Sequence, residues 1–157
     1  MIDRNLKDGV VDVRRRGDRI ILVRIVVGDS AVNVISAYAP QVGLSESIKM
    51  QFWENLDSMV STVPTSEKLF IGDLNGHVGA TNVGFERVHE DFGYGSRSQE
   101  GEEVLNFALA YDLLIANTLF RCRESHLVTF RSGQHSSQIE YILARREDRR
   151  DSLDSKV

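Results

Sequence analysis

The hydrophobic positions of this chain fall into short runs and helical repeats separated by Gly, Pro and Asp. Arg19 to Val27 reads R-I-I-L-V-R-I-V-V, and after Gly28-Asp29-Ser30 comes A-V-N-V-I-S-A-Y-A, ending at Pro40. Two β-rich runs around a Gly-Asp-Ser turn predict a β-hairpin. Between Ser45 and Val63 the residues Ile48, Phe52, Leu56, Met59, Val60 and Val63 recur at helical spacing, with Ser45 placed to cap the start and Pro64 just past the end. That pattern predicts an amphipathic helix. Lys68 to Gly72, K-L-F-I-G, predicts a short buried strand, and it leads directly into Asp73-Leu74-Asn75-Gly76.

The stretch from Gly76 to Gly101 carries six glycines and little periodicity. It predicts a long surface loop, which in a compact domain usually has a function. Val104, Leu105, Ala108, Leu109 and Leu113 mark a second helix running into a strand, L-L-I-A-N, that ends near Asn117; Leu127 to Phe130 and Gln138 to Ala144 are further strand candidates. A hairpin followed by single strands between helices predicts an α/β domain with a mixed sheet. No repeat, low-complexity tract or linker divides residues 1–157, so one domain is expected. Little precedes the first strand candidate, and only the charged tail R-R-E-D-R-R-D-S-L-D-S-K-V follows the last, so flanking strands are expected to be missing.

Composition narrows the function classes. With 41% hydrophobic and 27% charged residues the chain can bury a core. A net charge of -4 argues against a general polyanion binder, since nonspecific nucleic-acid affinity comes from many Lys and Arg contacts to phosphate. A nucleic-acid substrate therefore needs a local basic patch or a metal. Cys122 is the single cysteine, and no Cys/His cluster has zinc spacing, so a reducing intracellular compartment, nucleus or cytoplasm, is expected. Met1 to Gly9 is polar and charged, unlike a signal peptide, and no run reaches the roughly 20 apolar residues of a membrane span. No membrane partner is expected.

The sharpest local feature is Gly72-Asp73-Leu74-Asn75 at the end of an apolar strand. If strand alternation continues, Asp73 and Asn75 point one way while Leu74 packs behind them. The carboxylate can take a proton from water or bind a hard cation, and the carboxamide can donate to a phosphate oxygen. The plainer reading is a turn, because Asp, Asn and Gly tolerate turn geometry. A calcium loop beginning Asp73-x-Asn75-x-His77 is excluded, since its sixth and twelfth places hold Val78 and Gly84 instead of Gly and Glu. Tyr38 closes the hairpin, either as an ordinary half-buried tyrosine or as a donor to an anion. Glu140 lies in the apolar run S-Q-I-E-Y-I-L, where it shares a face with Gln138 if the run is an edge strand. His77, His89, His126 and His135 are scattered, mostly in Gly- and Ser-rich segments, and are expected to be exposed. Arg14-Arg15-Arg16 and Arg145, Arg146, Arg149, Arg150 form two basic clusters, which read first as solvated faces and second as phosphate contacts.

In order, S-A-Y-A-P, L-F-I-G-D-L-N-G-H-V-G, G-Y-G-S-R-S-Q-E-G, L-L-I-A-N-T, V-T-F and S-Q-I-E-Y-I-L resemble the endonuclease/exonuclease/phosphatase superfamily. Within it, the series is most similar to the nuclease domains of non-LTR retrotransposons and to craniofacial development protein 2-like proteins. The resemblance runs from about Leu6 to the C-terminus and implies a four-layered α/β sandwich, here incomplete. It implies Mg2+-assisted hydrolysis of a phosphodiester, with DNA as the ancestral substrate. Asp73 then matches the aspartate that positions or deprotonates the attacking water, Asn75 the asparagine that holds the phosphate, and Tyr38 the tyrosine on the scissile phosphate. Glu140 stands where the family has the aspartate that orients the catalytic histidine.

Several family features have no match. An early Asn motif and a Q-E motif carrying the principal magnesium ligand belong before Leu6, and an S-D-H motif with the catalytic histidine belongs after Val157. Ser98 replaces the Asn often found in the G-x-R-N segment. The expectation is a single partial domain over residues 1–157. Its Mg2+ would be held weakly by Asp73 and Asn75, and its hydrolytic activity would be weak or lost; the alternative is a non-catalytic remnant that binds nucleic acid or protein.

Overall fold

The structure, a computed structural model, describes residues 7–41, 43–133 and 135–151. The start of the resemblance at Leu6 and the last six residues of the charged tail lie outside them. The chain divides into two compact units, Met1–Gly72 and Asp73–Val157.

The first unit consists of β1 (Val10–Arg16), β2 (Ile20–Val27), β3 (Ser30–Ala37), α1 (Glu46–Val60) and β4 (Lys68–Gly72). The hairpin forms as its pattern predicts: β2 and β3 pair antiparallel from Ile20↔Ala37 to Val27↔Ser30. Gly28 takes φ 59° at the turn, a conformation that costs glycine little. The α1 crossover returns the chain so that β4 runs parallel to β3, which makes the sheet mixed. Leu22 pairs with Ile35, and Ile35 with Ile71. These three and Leu69 are at most 1% exposed, and α1 buries Phe52, Leu56, Met59 and Val60. Each such side chain contributes roughly 1.5–3 kcal/mol of burial.

Strand β1 was not foreseen. The run V-V-D-V-R-R-R is rich in β-branched valine, but its charges read as a solvated face. It pairs antiparallel with β2, with Val11 and Val13 54% and 53% exposed. Next to the core, Arg24 grips Glu67 through Nε–Oε2 and Nη2–Oε1 contacts of 2.9 and 2.6 Å, and Asn33 Nδ2 donates to the same carboxylate at 2.8 Å. The Arg24 hydrogen bond, then that of Asn33, hold the Glu67 carboxyl down to about 2.

The second unit contains α2 (Gln99–Ala110), β5 (Leu113–Ile115), α3 (Glu124–Leu127), β6 (Phe130–Ser132), β7 (His135–Ser137) and β8 (Ile142–Arg145), with 3-10 turns at Ala116–Thr118 and Arg146–Asp151. β5 pairs antiparallel with β8, and β6 with β7. Ser98 caps α2, its side chain accepting from the Gly101 N–H at 3.1 Å.

Three expectations need correction here. Leu127 to Phe130 is not one strand: α3 ends at Leu127 and β6 begins at Phe130. Gln138 to Tyr141 is irregular, and only Ile142–Arg145 is strand. The reason is where the backbone groups bond. The Ile139 and Glu140 N–H groups donate to Thr129 Oγ1, and the Gln138 carbonyl accepts from the Tyr141 hydroxyl, which leaves no ladder to join. Gln138 is buried and Glu140 exposed, so they do not share a face.

The stretch from Asp73 to Ser98 contains no helix or strand and is exposed at positions such as Thr81, Val83, Glu86 and Phe92, as a surface loop should be, but it is anchored from within. Val78, Val88 and His89 are at most 1% exposed. Arg97 organises it, donating to the carbonyls of Val78, Thr81 and Val83 while its guanidinium lies 4.7 Å from the Phe85 ring. The expected mixed α/β architecture stands. Among the described residues, no helix is long and apolar enough to cross a membrane.

Candidate active site

Strand β4 ends at Gly72, and the backbone then turns left-handed twice, with Asp73 at φ 70° and Asn75 at φ 47°. Leu74 between them is 1% exposed, whereas Asp73 and Asn75 are half-buried. Leu74 packs inward as expected, but the two polar residues alternate with it through αL backbone and not through continued strand. Asp and Asn are the non-glycine residues that tolerate this conformation best, and backbone strain of this kind concentrates at functional sites. Among the described residues nothing hydrogen-bonds to the Asp73 carboxylate. Burial alone raises its affinity for a proton, which moves it toward the range of a useful general base.

The segment after Asn75 is fixed by its neighbours. Gly76 and His77 lie against the first turn of α2, where a Cβ on Gly101 would overlap the His77 carbonyl. The Ser98 N–H donates to His77 O at 2.9 Å. The Val78 N–H approaches the Tyr141 hydroxyl at 3.4 Å, and that hydroxyl donates to Gln138 O at 2.8 Å. The turn carrying Asp73 and Asn75 is thus tied to the segment carrying Glu140. Glu140 itself is exposed, and its side chain has no hydrogen-bond or ion-pair partner among the described residues.

The same two segments line a cavity of about 410 Å³, bounded by His77, Tyr94, Ser96, Phe130, Ser137 and Gln138. Gln138 is 2% exposed and its Oε1 has no hydrogen-bond partner among the described residues. Sequence reasoning treated Gln138 as an ordinary strand residue and missed this. A glutamine inside an otherwise apolar run was the available signal, because an unpaired buried amide is costly.

The histidines divide. His126 is exposed and His77 half-buried, but His89 is fully buried, contrary to expectation. Its Nε2 hydrogen-bonds Gly79 O at 3.0 Å and its Nδ1 accepts from the Asp91 N–H at 3.0 Å. Burial lowers its proton affinity, so it is a neutral structural residue.

Tyr38 belongs to the first unit. It is 44% exposed at the end of β3, its hydroxyl accepts from Gln41 Nε2 at 3.0 Å, and Arg19 Cζ lies 5.5 Å from its ring. The solvent-facing phenol fits a role as donor to an anion.

Magnesium needs near-octahedral oxygen coordination anchored by one or two carboxylates. The Asp73 turn offers one carboxylate and one carboxamide, and no group of three His, Cys, Asp or Glu side chains that could hold a metal occurs among the described residues. These donors do not amount to a magnesium site by themselves.

No family model matches the chain. Two curated relatives named craniofacial development protein 2, from Bos taurus and Tragulus javanicus, are 29% and 28% identical over 148 residues, which is 92% of this chain and 25% of each relative. The chain therefore spans about a quarter of the length of the curated relatives it matches. Among solved structures it is similar to the endonuclease domain of TRAS1, a telomere-specific non-LTR retrotransposon, with a TM-score of 0.54 and 18% identity over 92% of this chain and 58% of that one. At that identity the likeness is one of fold. The chain is thus similar in sequence to the craniofacial development protein 2 relatives and in fold to a nuclease domain.

Proposed function

We propose that the chain is an endonuclease-type phosphodiesterase domain acting on DNA. The observation that carries this reading is the Asp73-Leu74-Asn75 turn, which holds a half-buried carboxylate without donors beside a carboxamide on a nuclease-domain fold. Asp73 orients the attacking water and takes its proton as the new P–O bond forms and the P–O bond to the departing sugar oxygen breaks, that oxygen taking a proton from solvent; its raised proton affinity makes Asp73 a stronger base than an ordinary carboxylate. Asn75 donates from its amide to a non-bridging phosphate oxygen, where charge grows in the transition state. Tyr38 donates to the scissile phosphate. Glu140 takes the place of the acid that orients a histidine. Mg2+ is the cofactor the resemblance implies, and with one carboxylate on the turn its retention is weak.

A second reading, binding without turnover, draws support from Glu140, whose carboxylate has no partner among the described residues to orient. Plasmid nicking in Mg2+ and DNA binding, measured on this chain and its Asp73→Ala variant, test both. Weak nicking that the variant abolishes is the expected result. Nicking that persists in the variant removes Asp73 from the chemistry. Binding without any nicking favours the second reading, and absence of binding overturns both.

A further inference from the structure

The net charge of -4 leaves open how a polyanion would be held, and the β1–β2 turn offers an answer. Four arginines crowd this end of the first unit's sheet, and Arg24 lies further along β2. Asp12 neutralises Arg14 at 2.8 Å and Glu67 neutralises Arg24 at 2.6 Å. Arg15, Arg16 and Arg19 have no carboxylate partner among the described residues. Strand alternation separates Arg15 from Arg16. Arg15 pairs with Ile21, Ile21 with Ser36, and Ser36 with Gly72, so Arg15 shares the sheet face that leads to Tyr38. Arg16 pairs with Ile20 and borders an adjoining crevice alongside Phe52 of α1; Asp18 and Arg19 line both crevices, but Arg16 does not line the one that holds Arg15 and Tyr38.

On the Tyr38 face, Arg15, Arg19, Ser36 and Tyr38 line a groove of about 160 Å³. Arg19 lies over the Tyr38 ring and its Nη1 donates to Tyr38 O at 3.4 Å. Asp18 stands on the rim of this groove but forms no ion pair with either arginine. The row from Arg15 to Gly72 crosses three strand spacings, about 14 Å. Charges recur about every 3.4 Å of axis along one duplex strand, so the row spans a few phosphates. Gly72 is the residue before Asp73.

We propose that the groove formed by Arg15, Arg19, Ser36 and Tyr38 binds the sugar-phosphate backbone of DNA, with Arg15 neutralising one of its phosphates. The inference rests on the DNA reading above and adds the contact that lets an acidic chain hold its substrate. The partner is a phosphate backbone because the groove offers two guanidiniums that no carboxylate neutralises among the described residues, together with a hydroxyl and a phenol.

Fluorescence anisotropy of the full chain with a short labelled DNA duplex, titrated with NaCl, tests it. Arg15→Gln and Arg19→Gln are each expected to reduce the slope of log affinity against log salt by about 0.9 and to weaken binding several-fold at low salt, whereas Arg15→Lys retains the slope. Arg16→Gln, an equal loss of charge one residue away, is expected to leave the slope unchanged. Equal losses in Arg15→Gln and Arg16→Gln would reduce the effect to net charge and overturn the site. An unchanged slope in Arg15→Gln overturns this inference alone, while failure of the unsubstituted chain to bind duplex overturns the DNA reading with it. Tighter binding of a polyglutamate peptide than of duplex overturns it in favour of an acidic protein partner. Arg15 is exposed, and unchanged thermal melting confirms that its variants fold.

Discussion

The Val78 N–H meets the Tyr141 hydroxyl at 3.4 Å, and this contact ties the loop after Asp73 and Asn75 to the strand entry that carries Glu140. Tyr141 is 1% exposed, and burial pushes its phenol well above the ordinary range, so it stays protonated and free to donate to Gln138 O. Tyr141→Phe keeps the ring and removes only the hydroxyl. Two buried backbone groups then lose a partner, at about 1–3 kcal/mol each where no water replaces it. Urea denaturation is expected to show a loss within or below that sum, with faster amide exchange at Val78. A variant as stable as the parent would mean that the contact carries no energy.

Asp73→Asn separates charge from shape, since Asn also tolerates φ near 70°. The folded-state affinity of Asp73 for a proton is raised above its ordinary 3.8, so its favourable contribution exists below that pH and is lost as pH rises through the folded value. At neutral pH the ionised carboxylate is a burden. The variant is expected to melt higher than the parent at neutral pH, with the difference closing below about pH 4, and to lose nicking. A lower melting point at neutral pH would show that the carboxylate has a stabilising partner.

The hairpin, α1, β4 and α2 were legible because each couples a regular apolar period to a clear stop. Val11 and Val13 of β1 were hidden by the arginines that follow, and only pairing with β2 gives that segment its conformation. Asp73 and Asn75 were legible as chemistry but not as geometry, because Leu74 packs inward in a strand and in an αL turn alike. His89 and Arg97 were missed because their partners are backbone carbonyls, which carry no sequence signature. The Gln138–Tyr141 segment failed as a strand for a related reason: Thr129, eleven residues before Glu140, takes the N–H groups a ladder needs.

His89 makes stability fall in mild acid. Its folded proton affinity is lowered from the ordinary 6.5, so its contribution is present above that value and is lost as pH falls through the folded one. A proton on Nδ1 would also displace the Asp91 N–H. Urea midpoints are expected to decline between about pH 7 and pH 5, and His89→Gln is expected to flatten that decline. A parent with constant midpoints over this range would refute the assignment.

Glu67 acts in a separate window. Its folded carboxyl sits at about 2 against an ordinary 4.5, so the stability from its Arg24 and Asn33 hydrogen bonds is complete above 4.5 and disappears as pH falls toward 2. Glu67→Gln is expected to lower stability at neutral pH and to remove this acid limb. Parallel acid limbs in variant and parent would place the titration elsewhere.

Gly101 sets helix propensity against packing. On the first turn of α2, Ala is favoured over Gly by up to about 1 kcal/mol in an isolated helix, and the exposed Asn106→Ala in the same helix is expected to stabilise by a few tenths. At Gly101 the added Cβ would overlap the His77 carbonyl, a backbone atom that cannot move aside as a side-chain tip can. Helix and loop must separate, which costs about 1–3 kcal/mol for an overpacked contact. The separation also loosens the Ser98 hydrogen bonds to His77 that follow directly on Asn75. Gly101→Ala is therefore expected to lower the urea midpoint and to reduce nicking together, while Asn106→Ala raises the first and leaves the second alone. A stabilised Gly101→Ala with full nicking would show that α2 does not rest against His77 and that the Asn75 turn is positioned by something else.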